Sequence, residues 1–380
     1  MIKTINFTEI NPISNKQIKL IKKGISSTIK KKDFILGSSV QKFENEFSMI
    51  SGIKYCVSCA SGTDALTLAL MSLNLQKNDE VIVPGFTYIS TGLSVLFNNN
   101  KLICADIDKQ TGLISFDDVI AKMTKKTKVI IPVNLYGQKV DLKKLREIVG
   151  NKIYLIEDSA QSHFAYSCYK CINYKRNKCC KKNRNEKYAD ISCYSFYPAK
   201  NLGAYGDGGL IATNSFATYK RLSALRNLGA LKKNRHSILG RNSRLDTIQS
   251  IVLRVKLGSI LKFNDLRRKI SNYYDENLIN LNQINLTNTN PGSSRHLYVI
   301  RTKKRDVLLK YLKTKKINCQ IHYPYSFNKI KFFNKKGNKI TLLNSQNWSK
   351  QCLSLPLHPK LKIFHAKRVI KEIKNFFQYK

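Results

Sequence analysis

The chain has 380 residues, 42% of them apolar, and its 67 Lys and Arg against 24 Asp and Glu give a net charge of +43. This length and apolar content predict a folded protein with about two domains. A membrane-spanning helix is excluded, since no run of 18 apolar residues occurs. The first residues lack the apolar core of a secretory signal, so we expect a cytoplasmic protein.

The excess charge by itself does not indicate a nucleic-acid-binding protein. The lysines are spread along the whole chain, and no recognition motif accompanies them. Nucleic-acid binding is therefore the less favoured alternative. Ten cysteines in a chain without an export signal predict reduced thiols. Six of these lie in apolar surroundings and predict small core residues, namely Cys56, Cys59, Cys104, Cys193, Cys319 and Cys352.

The N-terminal part predicts two helices, at 17–29 and 37–51, from apolar residues at helical spacing. From residue 55 to 75 a short apolar strand enters the turn Ser61–Gly62–Thr63, and an apolar helix follows. A strand, a glycine turn and a helix start present free backbone N–H groups to an anion. An ordinary capped helix is the commoner explanation of such a turn.

Between residues 80 and 213 apolar strand candidates alternate with helical stretches. The strands are predicted at 81–84, 102–107, 129–136, 153–158, 191–196 and 210–213. This alternation is typical of an α/β protein with a doubly wound, largely parallel sheet. Ligands of such sheets lie at the carboxyl ends of the strands. Tyr88, Asp158, Lys200 and the turn at Ser61–Thr63 all follow strand candidates, so we expect them to converge.

Lys200 lies in the segment SFYPAKNLGAYGDGG, between an aromatic approach and a glycine-rich exit. Glycines allow tight turns and a close approach of the backbone to a ligand. A lysine held there loses solvation, which lowers its pKa and frees the amine to form a Schiff base with an aldehyde. A surface lysine in a glycine loop is the alternative.

Asp158 ends a predicted strand in EDSAQSH, with Gln161 close behind it. Enzymes that use pyridoxal 5'-phosphate (PLP) pair such an aspartate with the ring nitrogen and a lysine with the aldehyde. A solvated acid or a helix cap is the alternative for Asp158. Tyr88 has the shape to stack on a flat ring, although a core tyrosine is the default interpretation.

The alternating pattern breaks in a basic, cysteine-rich stretch at 166–188, which we interpret as an inserted loop. Four thiols occur within it, those of Cys168, Cys171, Cys179 and Cys180. Tetrahedral zinc takes four thiolates, but adjacent cysteines rarely ligate the same ion. A flexible loop without metal is therefore favoured over a zinc site.

The C-terminal part changes in character. A long helix is predicted within 240–274 and a polar linker at 285–294, followed by strands at 296–302 and 319–324, an extended segment at 352–359, and helices at 305–317 and 366–377. We therefore divide the chain into a large PLP-binding domain at 1–250, which contains the N-terminal helix and the insert, and a small α+β domain at 251–380.

Five segments in this order resemble one known family. The motifs ASGTDAL, PGFTYIST, EDSAQSH, SFYPAKNLGAYGDGG and GRNSRLDTIQSIVL resemble those of the DegT/DnrJ/EryC1/StrS sugar aminotransferases, from about residue 33 to 359. The resemblance implies the fold-type I architecture of PLP-dependent transferases, like that of aspartate aminotransferase, and a homodimer with shared active sites. Phe164 and the basic insert depart from the family pattern, which usually has glycine where Phe164 stands.

The resemblance also implies roles for individual residues. Lys200 matches the lysine that binds the cofactor aldehyde, Asp158 the partner of the pyridine nitrogen, and Gln161 the contact to the ring hydroxyl. Tyr88 matches the aromatic side chain that covers the ring. The phosphate contacts match Gly62, Thr63, Ser195 and, from the other subunit, Asn242.

Within the family, the chain looks most similar to enzymes that aminate C-3 of dTDP-3-oxo-6-deoxyhexoses, with L-glutamate as the expected donor. His322 and Tyr323 match residues expected near the sugar, and His163 is a further candidate there. A pair packed in the core of the small domain is the alternative for His322 and Tyr323. Amination at C-4 and a non-catalytic regulator with this fold are the alternative functions.

Overall fold

The computed structural model describes residues 3–165, 188–232, 234–333 and 341–378. Its α helices are α1 (Asn15–Lys31), α2 (Ser38–Ser51), α3 (Gly62–Met71), α4 (Ser90–Phe97), α5 (Phe116–Lys122), α6 (Leu142–Val149), α7 (Phe216–Leu225), α8 (Thr247–Leu257), α9 (Ile260–Leu278), α10 (Arg305–Thr314), α11 (Leu343–Gln351) and α12 (Ile363–Gln378). Its strands are β1 (Tyr55–Cys59), β2 (Glu80–Pro84), β3 (Lys101–Ala105), β4 (Thr127–Ile130), β5 (Tyr154–Asp158), β6 (Ile191–Ser195), β7 (Gly209–Thr213), β8 (Ala230–Lys232), β9 (Arg235–His236), β10 (Asn285–Leu286), β11 (Tyr298–Arg301) and β12 (Cys352–Leu355).

The main sheet has the strand order β1-β7-β6-β5-β4-β2-β3 and is mostly parallel, which confirms the predicted α/β class. Only β7 runs against its neighbours β1 and β6. The loop between β6 and β7 contains no crossover helix, and a parallel return needs one. Since β1 and β6 both oppose β7, the carboxyl ends of β1, β2, β5 and β6 lie at one edge of the sheet.

The core explains the apolar runs in the sequence. Strands β2, β6 and β7 are buried along their whole length, as expected for strands covered by helices on both faces. Helix α3 packs on the sheet through Ala65, Leu66, Leu68 and Leu70. The six cysteines predicted as core residues are free thiols, and all except the half-buried Cys319 are buried.

A second, antiparallel sheet of β10, β11 and β12 forms with α9, α10 and α12 the core of the C-terminal part. The long helix predicted within 240–274 is two helices, α8 and α9, with a break at Gly258–Ser259. The strand predicted at 319–324 is wrong, because this segment pairs only through a single bridge between Gln320 and Ser354. No helix of the described ranges has the length and apolar character needed to cross a bilayer.

The domain division at residue 250 stays a prediction, and it falls inside α8. This helix packs on α1 and α2, and its residues Leu253 and Leu257 join the aromatic core next to the main sheet. A domain boundary after Leu257 therefore fits the packing better than one at residue 250. The cysteine-rich insert and its alternative zinc site at Cys168, Cys171, Cys179 and Cys180 lie outside the described residues.

Candidate functional site

Lys200 and Asp158 lie at the common edge where the strands end. Asp158 is the last residue of β5, and Lys200 follows β6, which pairs with β5. Burial lowers the pKa of the Lys200 ammonium to about 8, although the nearby Asp158 carboxylate acts in the opposite direction. The structure thus supplies an amine that is far easier to deprotonate than an exposed lysine.

The Asp158 carboxylate is buried and fixed by two donors. Thr91 Oγ1 on α4 donates to Asp158 Oδ2 at 3.0 Å, and the Ala160 N–H donates to Oδ1 at 3.1 Å. Burial raises the pKa of Asp158, and these hydrogen bonds together with Lys200 reduce that rise. A carboxylate fixed in this way keeps its remaining lone pairs for a cationic ligand group.

Gln161 is buried in the turn after β5, and its amide is held at both ends. The Tyr136 N–H donates to Gln161 Oε1 at 2.7 Å, and Gln161 Nε2 donates to the Tyr323 hydroxyl at 2.7 Å. Gln161 therefore links the main sheet to the segment that precedes β12 in the C-terminal part.

A buried ion pair supports the turn that carries Gln161. Lys139 Nζ lies 2.5 Å from Glu157 Oε1, and both side chains are almost fully buried. Burial raises the pKa of Glu157, but the Lys139 ammonium together with hydrogen bonds from Lys139, Asn134 and Ser192 lowers that pKa below its usual value. Asn134 Nδ2 donates to Glu157 and also to the hydroxyls of Ser159 and Ser162. The network thus fixes the residues on both sides of Gln161.

The glycine turn after β1 forms a narrow cradle beside Ser195. A β-carbon added at Gly62 would lie 2.5 Å from Ser195 Cβ. Ser61 Oγ accepts the Asp64 N–H at 3.1 Å, and the N–H groups of Gly62 and Thr63 precede it in the first turn of α3. The Thr63 and Ser90 hydroxyls are 2.7 Å apart. Helix N–H groups and hydroxyls of this kind bind a phosphate.

His322, Tyr323 and Tyr88 line the side of the site that faces the C-terminal part. Tyr88 is 54% exposed, and its ring lies 5.7 Å from that of Tyr323. His322 Nδ1 lies 2.9 Å from Ser354 Oγ, and its ring stacks on Phe7 at 5.6 Å. Burial and then the charge of Lys200 lower the pKa of His322 to about 4, so its imidazole is neutral at pH 7.

The prediction that His163 lies near a sugar stays a prediction, and the burial of its side chain does not favour it. Its side chain is 0% exposed and packs against the rings of Tyr194 and Phe196, each at 5.8 Å. Burial and the charge of Lys200 lower the pKa of His163 to about 3. The turn after β5 thus places Gln161 in contact with Tyr136 and Tyr323, and it packs His163 among aromatic rings.

Asn242 is exposed in the single chain, so its predicted contact with a partner subunit's phosphate stays a prediction. The segment lies next to the glycine turn of its own chain. Ser243 Oγ donates to Asp64 Oδ2 at 2.7 Å and accepts the Ala60 N–H at 3.1 Å.

Four residues of the site were not found from the sequence. Thr91 fixes Asp158, and Tyr136 holds Gln161. Asn201 ties the Lys200 loop to Asn264 and to the Ser294 carbonyl, while Lys256 on α8 donates to the Gly203 carbonyl at 2.8 Å. Each acts through hydrogen bonds between segments distant in sequence, which residue spacing does not reveal.

Comparison with known proteins gives relatives along almost the whole chain. A family model described as the DegT/DnrJ/EryC1/StrS aminotransferase family matches residues 15–374. The chain is 33% identical to UDP-N-acetyl-3-dehydro-alpha-D-glucosamine 3-aminotransferase of Acidithiobacillus ferrooxidans, covering 93% of this chain and 92% of the relative. It is 33% identical to dTDP-3-amino-3,6-dideoxy-alpha-D-galactopyranose transaminase of Aneurinibacillus thermoaerophilus, covering 98% and 99%. It is 34% identical to a pleiotropic regulatory protein of Geobacillus stearothermophilus, covering 91% of each.

Solved structures share the fold. S. venezuelae DesV superposes with a TM-score of 0.90 at 30% identity, with 98% of each chain covered. NtdA from Bacillus subtilis, solved with bound PMP, superposes with a TM-score of 0.88 at 26% identity, covering 99% of this chain and 85% of that one. The predicted fold-type I architecture is confirmed by these superpositions. Together with the family model, they show that the chain belongs to the DegT/DnrJ/EryC1/StrS aminotransferase family.

Proposed function

We propose that the protein converts a dTDP-linked 3-oxo-6-deoxyhexose to the 3-amino sugar, with PLP as cofactor and L-glutamate as amino donor. The observation that carries the proposal is the buried Lys200 amine, whose pKa is about 8, beside the fixed Asp158 carboxylate. This pair lies at the carboxyl ends of the strands, where sheets of this kind bind ligands. The family model that matches the chain is that of an aminotransferase family.

The described residues fit PLP. Lys200 would hold the aldehyde, Asp158 the ring nitrogen and Gln161 the ring hydroxyl. The cradle formed by Gly62, which has no room for a side chain, and Ser195 would hold the phosphate with Thr63, and the exposed Tyr88 would cover the ring. When bound, PLP supplies an electron sink for the bonds at the substrate's α carbon.

The chain's own residues then have distinct tasks. The Lys200 amine removes the proton at the α carbon of glutamate and returns a proton to C-3 of the sugar, as a general base and acid. Asp158 presents a fixed negative charge that keeps the ring nitrogen protonated. The neutral His322 and Tyr323 form a hydrogen-bonding wall for the sugar, which places its oxo carbon near Lys200 Nζ.

The choice of C-3 is supported by the names of two relatives, both of which are 3-amino-sugar enzymes. One of these names contains UDP and the other dTDP, so the names support amination at C-3 more strongly than they support dTDP. Amination of a 4-oxo sugar is the alternative. We expect NMR of the product from a dTDP-linked 3-oxo-6-deoxyhexose and glutamate to show an amine at C-3. Turnover found only with a UDP-linked substrate would refute the assigned nucleotide. Turnover found only with a 4-oxo substrate would refute amination at C-3.

A non-catalytic regulator is the second candidate, because one relative is named a pleiotropic regulatory protein. Glutamate alone distinguishes the two. The holoenzyme is expected to lose its visible cofactor band when glutamate is added, and the 3-oxo sugar is expected to restore it. Lys200→Ala is expected to lack the band from the start. A band that does not respond to glutamate would favour the regulator.

The same proposal includes a homodimer in which Asn242 of one chain completes the phosphate site of the other. The exposed position of Asn242 supports this arrangement. The cytoplasmic location expected from the sequence stays a prediction.

A further inference from the structure

Tyr136 has an unusual backbone for a buried aromatic residue. It is 2% exposed, with φ 61° and ψ 12°. This left-handed conformation costs a residue other than glycine about 1–2 kcal/mol. Gly137 follows with φ +94°, and a β-carbon there would lie 2.6 Å from the His296 N–H nitrogen. Such a conformation persists when the surrounding contacts determine it, and it often marks a functional position.

The contacts of Tyr136 use three of its polar groups. Its N–H donates to Gln161 Oε1 at 2.7 Å, and its carbonyl accepts the His296 N–H at 3.0 Å. Its hydroxyl donates to the His322 carbonyl. Its ring stacks on the buried Trp348 at 6.1 Å, which fixes the direction of the hydroxyl.

These bonds close a ring that joins the two parts of the chain. Gln161 Nε2 donates to the Tyr323 hydroxyl at 2.7 Å, and Tyr323 is covalently joined to His322, whose carbonyl accepts from Tyr136. The Tyr136 N–H can only donate, so it fixes the Gln161 amide with the oxygen towards Tyr136 and the NH₂ group towards Tyr323.

We propose that Tyr136 is a positioning residue that orients the Gln161 amide and couples it to the His322–Tyr323 wall. The inference rests on the proposed function, in which Gln161 contacts the cofactor's ring hydroxyl and the wall faces the sugar. An amide held in one orientation always offers its NH₂ group to the ring hydroxyl. A movement of the His322–Tyr323 wall is then transmitted through Gln161 to its contact with the cofactor's ring hydroxyl.

The Tyr136 phenol is suited to a permanent donor role. Burial raises its pKa well above the usual value, and the Arg301 guanidinium only partly offsets that rise. The hydroxyl therefore keeps its proton at neutral pH, and the His322 carbonyl keeps its donor.

Tyr136→Phe keeps the backbone N–H that holds the Gln161 amide and removes the hydroxyl, so it tests the coupling to the His322–Tyr323 wall. Tyr274→Phe is the matched control. Tyr274 is also a buried phenol that donates to a backbone carbonyl, that of Pro356 at 3.2 Å, but it lies in the core of the C-terminal part. In Tyr136→Phe holoenzyme the pH midpoint of the visible cofactor band is expected to shift by about half a unit or more. Its kcat/KM for the sugar is expected to fall about tenfold, the size of one hydrogen bond. Tyr274→Phe is expected to match the wild type within about twofold and without a shift.

A second measurement needs neither cofactor nor substrate. Thermal unfolding of the apoprotein is compared for Tyr136→Phe, Tyr323→Phe and the double variant. Since both hydroxyls belong to one ring, the double variant is expected to lose less than the sum of the single losses. Tyr274→Phe combined with Tyr323→Phe is expected to be additive.

The outcomes separate this inference from the proposed function. If the wild type aminates its sugar while Tyr136→Phe behaves like Tyr274→Phe in every assay, the positioning role is wrong and the function stands. If the wild type shows no cofactor band and no turnover, the function fails, and additive unfolding losses would then refute the ring as well. Should Tyr136→Phe not fold, Tyr323→Phe opens the ring at its other hydroxyl. An unshifted midpoint there overturns the inference.

Discussion

At the scale of single residues, the environment of Lys200 decides its chemistry. A pKa of about 8 leaves roughly a tenth of the amine neutral at pH 7, against less than a thousandth for an ordinary lysine. Burial supplies this effect, and the Asp158 carboxylate limits it. The lowered pKa of Lys200 thus results from its buried position after β6, and an exposed lysine would not have this pKa.

Phe164 has a side chain that conflicts with its backbone conformation. The resemblance implies glycine at this position, and the φ of Phe164 is 53°, in the left-handed region. Its ring packs against Phe47 at 5.0 Å, which offsets part of the backbone cost. The site of the departure is thus a position that favours glycine for steric reasons.

We predict that Phe164→Gly is more stable than Phe164→Ala by about 1 kcal/mol, because alanine keeps the cost of the left-handed backbone and glycine does not. Urea unfolding of the two variants measures the difference, and both lose the same packing against Phe47. An alanine variant as stable as the glycine variant would show that the backbone at this position is not strained.

At the scale of elements, the helices and strands that could be predicted are those encoded by continuous apolar runs and turn residues. The strands of the main sheet and their convergence near Lys200 follow from such local patterns. Two of the predictions were wrong for physical reasons. The segment 319–324 has a strand-like sequence, but the Tyr136 hydroxyl and Ser354 hold His322 in an irregular backbone. The break between α8 and α9 falls at Gly258, within an unbroken helical pattern.

Among the candidate site residues, the burial of His163 could not be predicted from the sequence. Burial in the turn after β5 depends on how Asn134 holds Ser159 and Ser162. No periodicity in EDSAQSH indicates which side chains enter the core. Tyr136 was hidden in the same way, since its left-handed backbone has no signal in an apolar run.

The turn that carries Gln161 depends on the ion pair beneath it, and this dependence can be measured. Lys139→Met leaves the Glu157 carboxylate buried without its cation, so we expect a loss of about 3–5 kcal/mol of unfolding free energy in urea. Lys143→Met is the matched control. The Lys143–Glu147 pair spans 3.7 Å with side chains 64% and 63% exposed, and its loss is expected to cost less than about 1 kcal/mol. Equal losses in the two variants would mean that Glu157 finds another partner.

At the scale of the whole molecule, the site of one chain is proposed to need a second chain. Everything described above for Lys200, Asp158 and Gln161 comes from one copy, whereas Asn242 is exposed and lies next to its own glycine turn. If Asn242 reaches the phosphate of the partner chain, a defect in Lys200 and a defect in Asn242 affect different sites of the same dimer.

Subunit mixing tests this arrangement. Lys200→Ala is expected to be inactive, and Asn242→Ala to bind cofactor about ten- to a hundredfold more weakly, the worth of a hydrogen bond to a charged group. A heterodimer of the two variants, purified through different tags and assayed at limiting cofactor, contains one site with both Lys200 and Asn242 intact. It is expected to recover about half the wild-type activity. If Asn242 instead serves its own chain, neither site is intact, and the heterodimer will show no more than half the activity of Asn242→Ala.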